Sequence, residues 1–128
     1  MHTPLLLVVD DHPSTQQMME LTLGQEIQVI QATDGHQAMR LLCLQRPDAV
    51  LLDWLMPGEL SGLEVLKRLK AVPEWRNIPV AMVTSQGDGP HILEGFRNGA
   101  DEFFVKPFKP LRLAQWVRQV VGRPHDVP

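Results

Sequence analysis

The chain has 128 residues, with 12 Lys and Arg against 15 Asp and Glu, a net charge of −3 and 44% hydrophobic residues. That is one domain of ordinary size with enough core to fold unaided, and the single Cys43 excludes a disulfide framework or a multi-cysteine zinc site. The mild acidity argues against nucleic-acid binding, and the apolar run Leu5–Val9 is too short for a membrane span or a secretory signal, so a soluble cytoplasmic domain is expected.

Short apolar runs alternate with segments of helical period. The first strand is predicted at Leu5–Val9, apolar throughout, and a helix follows over Pro13–Leu23, opened by Pro13 and Ser14 and stopped by Gly24. A second, less uniform strand at Ile27–Gln31 suits a position near the sheet edge, and the next helix, Gly35–Gln45, puts Ala38, Leu41, Leu42 and Gln45 on one face. Its Cys43 reads as a small buried hydrophobe. The third strand is Ala49–Asp53, followed by a helix over Gly62–Lys70 with Leu63, Leu66 and Leu69 in step. The fourth strand, Ile78–Val83, precedes a helix at Pro90–Asn98 that groups Ile92, Leu93 and Phe96. The fifth pair is Glu102–Val105 and Pro110–Val121, the latter carrying Leu113, Trp116, Val117 and Val120. Residues 123–128, with two prolines, read as a tail to a domain of residues 1–122.

This is a (βα)5 α/β chain. Strands alternating with helices of this length are parallel and joined by right-handed crossovers, and five are too few for a closed eight-stranded barrel. An open, doubly wound five-stranded parallel sheet remains, whose functional crevice lies beyond the carboxyl ends of its strands.

Asp10 and Asp11 follow the first strand, Asp53 ends the third, Thr84 and Ser85 follow the fourth, and Lys106 and Pro107 follow the fifth. Three carboxylates brought together either protonate or bind a cation, and hard oxygen ligands suit Mg2+. Mg2+ and a lysine would bring +3 against −3, leaving the pocket neutral toward an arriving phosphoryl group. Singly, each residue has a plainer reading: an aspartate as a helix cap, a threonine as a turn residue, a lysine as a solvated charge. Capping does not explain such residues at the ends of four separately predicted strands.

With these residues in place the chain resembles the receiver domain of two-component response regulators, single-domain and chemotaxis-regulator-like, from about Leu5 to Val121. The resemblance is carried by Asp10-Asp11, Asp53-Trp54-Leu55-Met56-Pro57, Thr84-Ser85, Asn98-Gly99-Ala100-Asp101 and Lys106-Pro107-Phe108. It implies a flavodoxin-like strand order 2-1-3-4-5. It implies that Asp53 accepts a phosphoryl group from a phosphohistidine of a sensor histidine kinase or a histidine phosphotransfer protein. Mg2+ would be bound by Asp10 (mostly through water), Asp11, Asp53 and the Leu55 backbone carbonyl. Lys106 and Thr84 would contact the phosphoryl group, Ser85 would keep the approach open, and the bond before Pro107 is a candidate cis peptide. Phe103, three residues before Lys106, would be the aromatic that turns inward on activation, with the face of the fourth helix, fifth strand and fifth helix as output. His91, Arg97, Asp101, Arg112 and Arg118 are candidates on that face, and Trp116 could join it. The partner would be a downstream protein, with homodimerisation on phosphorylation as a further expectation and no direct contact with nucleic acid or membrane.

Departures from the family pattern matter as well. The stretch from Pro57 to Gly62 is one residue longer than usual, so the loop after Asp53 is expected to bulge. Leu55 and Gln86 occupy the positions that tune hydrolysis of the acyl phosphate, and an apolar Leu55 predicts slow self-dephosphorylation. Gln17 stands where many relatives carry Arg, without an assigned role. His12 is read as an exposed helix-start residue that could touch the metal pocket. The rivals are a Mg2+-dependent phosphohydrolase with an Asp nucleophile, disfavoured by Leu55 in place of a second Asp, and a flavin carrier, disfavoured by the acidic crevice. A receiver-shaped interaction module that is never phosphorylated is the third. The expected role is a phosphorylation switch, not an enzyme with a diffusible substrate, and with receiver residues filling nearly all of the chain, output is expected through a partner.

Overall fold

The computed structural model describes residues 3–56, 58–85 and 89–122. These form β1 (Leu5–Val9), α1 (Pro13–Leu23), β2 (Gln28–Ala32), α2 (Gly35–Leu44), β3 (Ala49–Asp53), α3 (Gly62–Ala71), β4 (Val80–Thr84), α4 (Gly89–Arg97), β5 (Glu102–Val105) and α5 (Pro110–Val121). All strands pair in parallel in one sheet of order β2-β1-β3-β4-β5. The central strands β1, β3 and β4 are buried from end to end, while β2 and β5 are half-exposed edges.

Strand alternation sorts the core into two layers. Leu7, Val9, Val50, Leu52, Val80 and Met82 face α2 and α3, where Ala38, Leu42, Val65, Leu66 and Leu69 are buried. Leu6, Val8, Ala49, Leu51, Ala81 and Val83 face α1 and α5, which contribute Met19, Leu23, Leu113, Trp116 and Val117. Trp116 is 9% exposed and packs edge-to-face on Phe104, as a residue of this layer.

Several boundaries move by a residue or two, each for a hydrogen-bonding reason. β2 begins at Gln28 because that amide opens the ladder to the Pro4 carbonyl, and it runs on to Ala32, whose carbonyl accepts the Asp10 amide at 3.0 Å. Ile27 stays in the core ahead of the strand. β4 begins at Val80 because the Ile78 amide closes a turn onto Trp75 and Pro79 has no amide to give. The ends of α2, α3 and α4 shift by one residue, the usual fraying of helix termini. Cys43 is exposed, against the expectation of burial, because it lies one helical step beyond the inward row of Ala38 and Leu42.

The α4 face also differs from expectation. Leu93 and Phe96 are 50% and 44% exposed, and the buried residue of the helix is Gly95.

The segment after Asp53 leads into α3. Leu60 is buried in the α2/α3 layer, and Ser61 caps α3 by accepting the Glu64 amide. The Gly62 amide donates to the Trp54 carbonyl at 3.0 Å, and a Cβ at position 62 would overlap the Asp53 carbonyl oxygen. Pro57, in this segment, lies outside the described residues. Gly62 therefore lets α3 pack directly on the backbone that carries Asp53. Gly62→Ala should destabilise the protein by about 1–3 kcal/mol, as forced overpacking does. Urea denaturation measures it, and an unchanged midpoint would show that the backbone yields.

Candidate functional site

The strand order reverses between β1 and β3, and the crevice beyond their carboxyl ends holds the acidic residues. Asp53 is the last residue of β3 and its side chain is 7% exposed. Its Oδ1 accepts the Leu55 amide at 3.2 Å, and its Oδ2 lies 3.3 Å from the Lys106 Nζ, which arrives at the end of β5. The parallel register pairs Asp53 with Val83 and Thr84 with Val105, so the polar strand ends emerge side by side. The Lys106 amide donates to the Thr84 carbonyl at 2.8 Å, tying the two ends together.

Asp10 is held more rigidly. Its Oδ1 accepts the His12 amide at 2.9 Å and its Oδ2 accepts the Thr15 hydroxyl at 2.8 Å. Gln31, at the adjacent end of β2, donates through Nε2 to the carbonyls of Asp10 at 2.7 Å and His12 at 3.1 Å. Asp11 is 37% exposed, and the His12 Nδ1 lies 3.1 Å from carboxylate oxygens of both Asp10 and Asp11. One donor atom from each of Asp10, Asp11, His12 and Asp53 can be chosen so that all four lie within 4.8 Å of one another, the arrangement of a cation site.

Burial pushes the Asp53 carboxyl above its ordinary value of 3.8; Lys106 pulls it back down, the Asp10 charge pushes it up, and the hydrogen bonds from Lys106 and Leu55 lower it. Without a cation the site holds three carboxylates against Lys106. A divalent oxygen-seeking ion supplies the missing two charges, and the donor set of carboxylates with one exposed member suits an ion that keeps part of its hydration shell.

The structure thus brings Asp10, Asp11, Asp53 and Lys106 together as the sequence led one to expect, and places Thr84, 1% exposed, at the adjoining strand end. Ser85 is exposed, and the Leu55 side chain points to solvent with 58% of its surface free. The Lys106–Pro107 peptide is cis. Phe103 does not join the carboxylates. Its half-buried ring lies on the α4 side, 6.1 Å from the Trp54 ring and 5.3 Å from that of Phe96. Gln86 and the tail of residues 123–128 lie outside the described residues. Sequence reasoning does not single out Thr15 or Gln31, and it expects His12 as a helix-start residue that could touch the metal pocket. His12 is one, as the residue preceding α1, and it also joins the acidic cluster. The available signal was a polar residue, Gln31, near the end of an edge strand beside Asp10.

Asp53 is thus a buried carboxylate beside Asp10 and Lys106 at the switch point of a doubly wound sheet. The chain belongs to the response regulator receiver domain family, whose pattern it matches over residues 6–118. It is 37% identical over 124 residues to the DNA-binding response regulator MtrA of Mycolicibacterium smegmatis, covering 96% of this chain and 53% of that protein. It is 36% identical over 119 residues to the phosphate regulon transcriptional regulatory protein PhoB of Escherichia coli, covering 92% of this chain and 52% of that protein. The chain spans about half the length of these relatives. The solved structure of the chemotaxis protein CheY4 of Vibrio cholerae superposes with a TM-score of 0.84 at 30% identity, covering 93% of this chain and 99% of that one. Among the described residues no helix is long and apolar enough to cross a membrane.

The raised pKa of Asp53 fixes the sign of one outcome. Asp53 favours the fold fully below pH 3.8, and that contribution is lost as pH rises through the higher folded value. Asp53→Asn should therefore melt at a higher temperature than the parent at pH 7 without divalent cations, with the gap closing toward pH 4. Melting curves that coincide at pH 7 would show that the ionised carboxylate costs the fold nothing.

Proposed function

We propose that this chain accepts a phosphoryl group from a phosphohistidine of a sensor histidine kinase or histidine phosphotransfer protein onto Asp53, in a Mg2+-dependent reaction. The observation that carries this reading is the position of Asp53, with the Asp10/Asp11 pair on one side and Lys106 at 3.3 Å on the other. A carboxylate oxygen of Asp53 forms the new P–O bond as the donor's P–N bond breaks in line, giving an acyl phosphate and releasing the imidazole. Asp11, Asp53 and the Leu55 carbonyl would hold the Mg2+, with Asp10 acting mostly through water; when bound, the ion neutralises charge on the transferring phosphoryl oxygens.

The remaining work falls to side chains. Lys106 pairs with an equatorial oxygen, Thr84 donates a hydroxyl hydrogen bond, and Ser85 leaves the approach uncrowded. Both carboxylate oxygens of Asp10 already accept a hydrogen bond, from the His12 amide and the Thr15 hydroxyl, which suits a role through water. The change at the site biases Thr84 and Phe103 between two arrangements, and the signal leaves by the face of α4, β5 and α5. Support for that route comes from the ring contacts joining Trp54, beside the phosphoacceptor, through Phe103 to the exposed Phe96. The receiver occupies residues 1–122 with 123–128 as a tail, works in the cytoplasm, and passes its signal to a downstream protein or a second copy of itself. It is a switch that assists its own phosphorylation and dephosphorylation, not an enzyme with a diffusible substrate.

A small phosphodonor such as acetyl phosphate with Mg2+ should label the parent chain and not Asp53→Asn, and chelation should abolish labelling. Equal labelling of the variant would refute the assignment of Asp53. The exposed, apolar Leu55 gives an attacking water no hydrogen-bond partner. Leu55→Asn should therefore shorten the lifetime of the acyl phosphate severalfold, measured as release of labelled phosphate; an unchanged or longer lifetime would remove Leu55 from the control of hydrolysis.

A further inference from the structure

We infer that Gly95 of α4 is a positioning residue for the switch: its missing side chain is the notch that seats the Phe103 ring, and occupancy of that seat is linked to the state of Asp53. The inference rests on the reading of Phe103 as the aromatic that moves.

Gly95 lies inside α4, two residues before its end, and it is the only residue of that helix classed as buried. A glycine inside a helix costs backbone entropy, so a close approach is the usual reason for one. Here the approach is by a ring. A Cβ at position 95 would overlap Cε2 and Cζ of Phe103 and would lie 3.4 Å from Cζ3 of Trp54. The Phe103 ring is thus held between the bare backbone of α4, the Trp54 indole and the Phe96 ring.

Trp54 makes this seat report on the site. It follows Asp53 directly, its amide donates to the Val83 carbonyl and its carbonyl accepts the Gly62 amide, so its backbone is fixed to the phosphoacceptor strand. Its indole is 8% exposed and is met from α4 by His91, edge-on at 5.3 Å. The overlap that a Cβ would create falls on the far end of the Phe103 ring and not on backbone, and Phe103 is only half-buried on an edge strand. Filling the notch therefore expels the ring and leaves the helix in place. By reciprocity, if a phosphoryl group on Asp53 favours the seated ring, denying the seat weakens the hold on the phosphoryl group.

The test is a double-mutant cycle on the full chain with beryllofluoride and Mg2+ as the phosphoryl mimic, using the parent, Gly95→Ala, Phe103→Ala and the combined variant. Gly95→Ala should weaken mimic binding about 5-fold or more, the lower end of typical couplings between sites. In the Phe103→Ala background the same change should have no effect beyond twofold. Tryptophan emission of Gly95→Ala should shift to the red, toward that of Phe103→Ala, because only the Trp54 indole loses a neighbour. An equal loss in both backgrounds, no loss at all, or unchanged emission would overturn the inference while leaving the phosphoacceptor reading intact. Alanine is the better helix former, so failure of Gly95→Ala to fold would mean the ring does not leave the notch, and would overturn it too. A parent chain that does not bind the mimic, or an Asp53→Asn variant that binds it equally, would remove the phosphoacceptor reading and the inference together.

Discussion

The sheet ends in a carboxylate that the fold buries and only partly compensates. Asp53 sits on the central strand, 7% exposed, with a single lysine contact at 3.3 Å and a second carboxylate nearby. Burial of a charge in such a place is unfavourable unless partners make up for lost water. Lys106 is one-third exposed, so its attraction is screened and cannot make up the whole difference. The remaining deficit is what makes the site receptive. A cation, or a phosphoryl group arriving with one, changes the electrostatic energy of this crevice more than that of a solvated surface. The same burial that makes the bare charge unfavourable gives a bound group its leverage.

Leverage is useful only if the surrounding groups hold still, and the fold fixes them to different degrees. Asp10 is held through both of its carboxylate oxygens by the first turn of α1, and Gln31 clamps the backbone of the same turn. Asp53 is fixed by its pairing with Val83 of β4 and by α3, which rests on its carbonyl through Gly62. Asp11 is the loosest of the three and faces solvent, so it can adjust to an ion without moving the sheet. Rigid members set the position of the site and the mobile one adapts to what binds.

The architecture was legible because its signals are local and strong. Apolar runs of four to six residues alternating with helical periods leave little beyond a parallel doubly wound sheet, and charged residues at successive strand ends mark its functional edge. What the sequence hid depends on tertiary approach. Cys43 and Leu42 differ by one position, and a 100° step separates core from solvent, beyond what residue type reveals. In α4 the apolar residues suggested an inner face of Ile92, Leu93 and Phe96, yet Gly95 turns inward because a ring from β5 occupies the place of its side chain. Hydrophobic periodicity cannot see a glycine used for its absence. Thr15 and Gln31 escaped for a related reason: their role is to hydrogen-bond a neighbour's turn, and short polar side chains at element ends have many ordinary uses.

The ring contacts on the α4 side connect these two themes. Trp54 shares a backbone with the charged residue that binding alters, and its indole packs against both α4 and β5. Close-packed rings do not deform continuously; they hold one arrangement or exchange it for another. On the reading proposed above, a small displacement at Asp53 would be passed on as a change in which ring fills the space beside Gly95. Phe96, which meets the Phe103 ring, and Leu93 are both exposed where a helix would ordinarily bury them. The apolar surface that α4 fails to bury and the glycine that it does bury are two consequences of one packing choice. The helix gives its inner face to the Phe103 ring, and its apolar side chains Leu93 and Phe96 are left half-exposed.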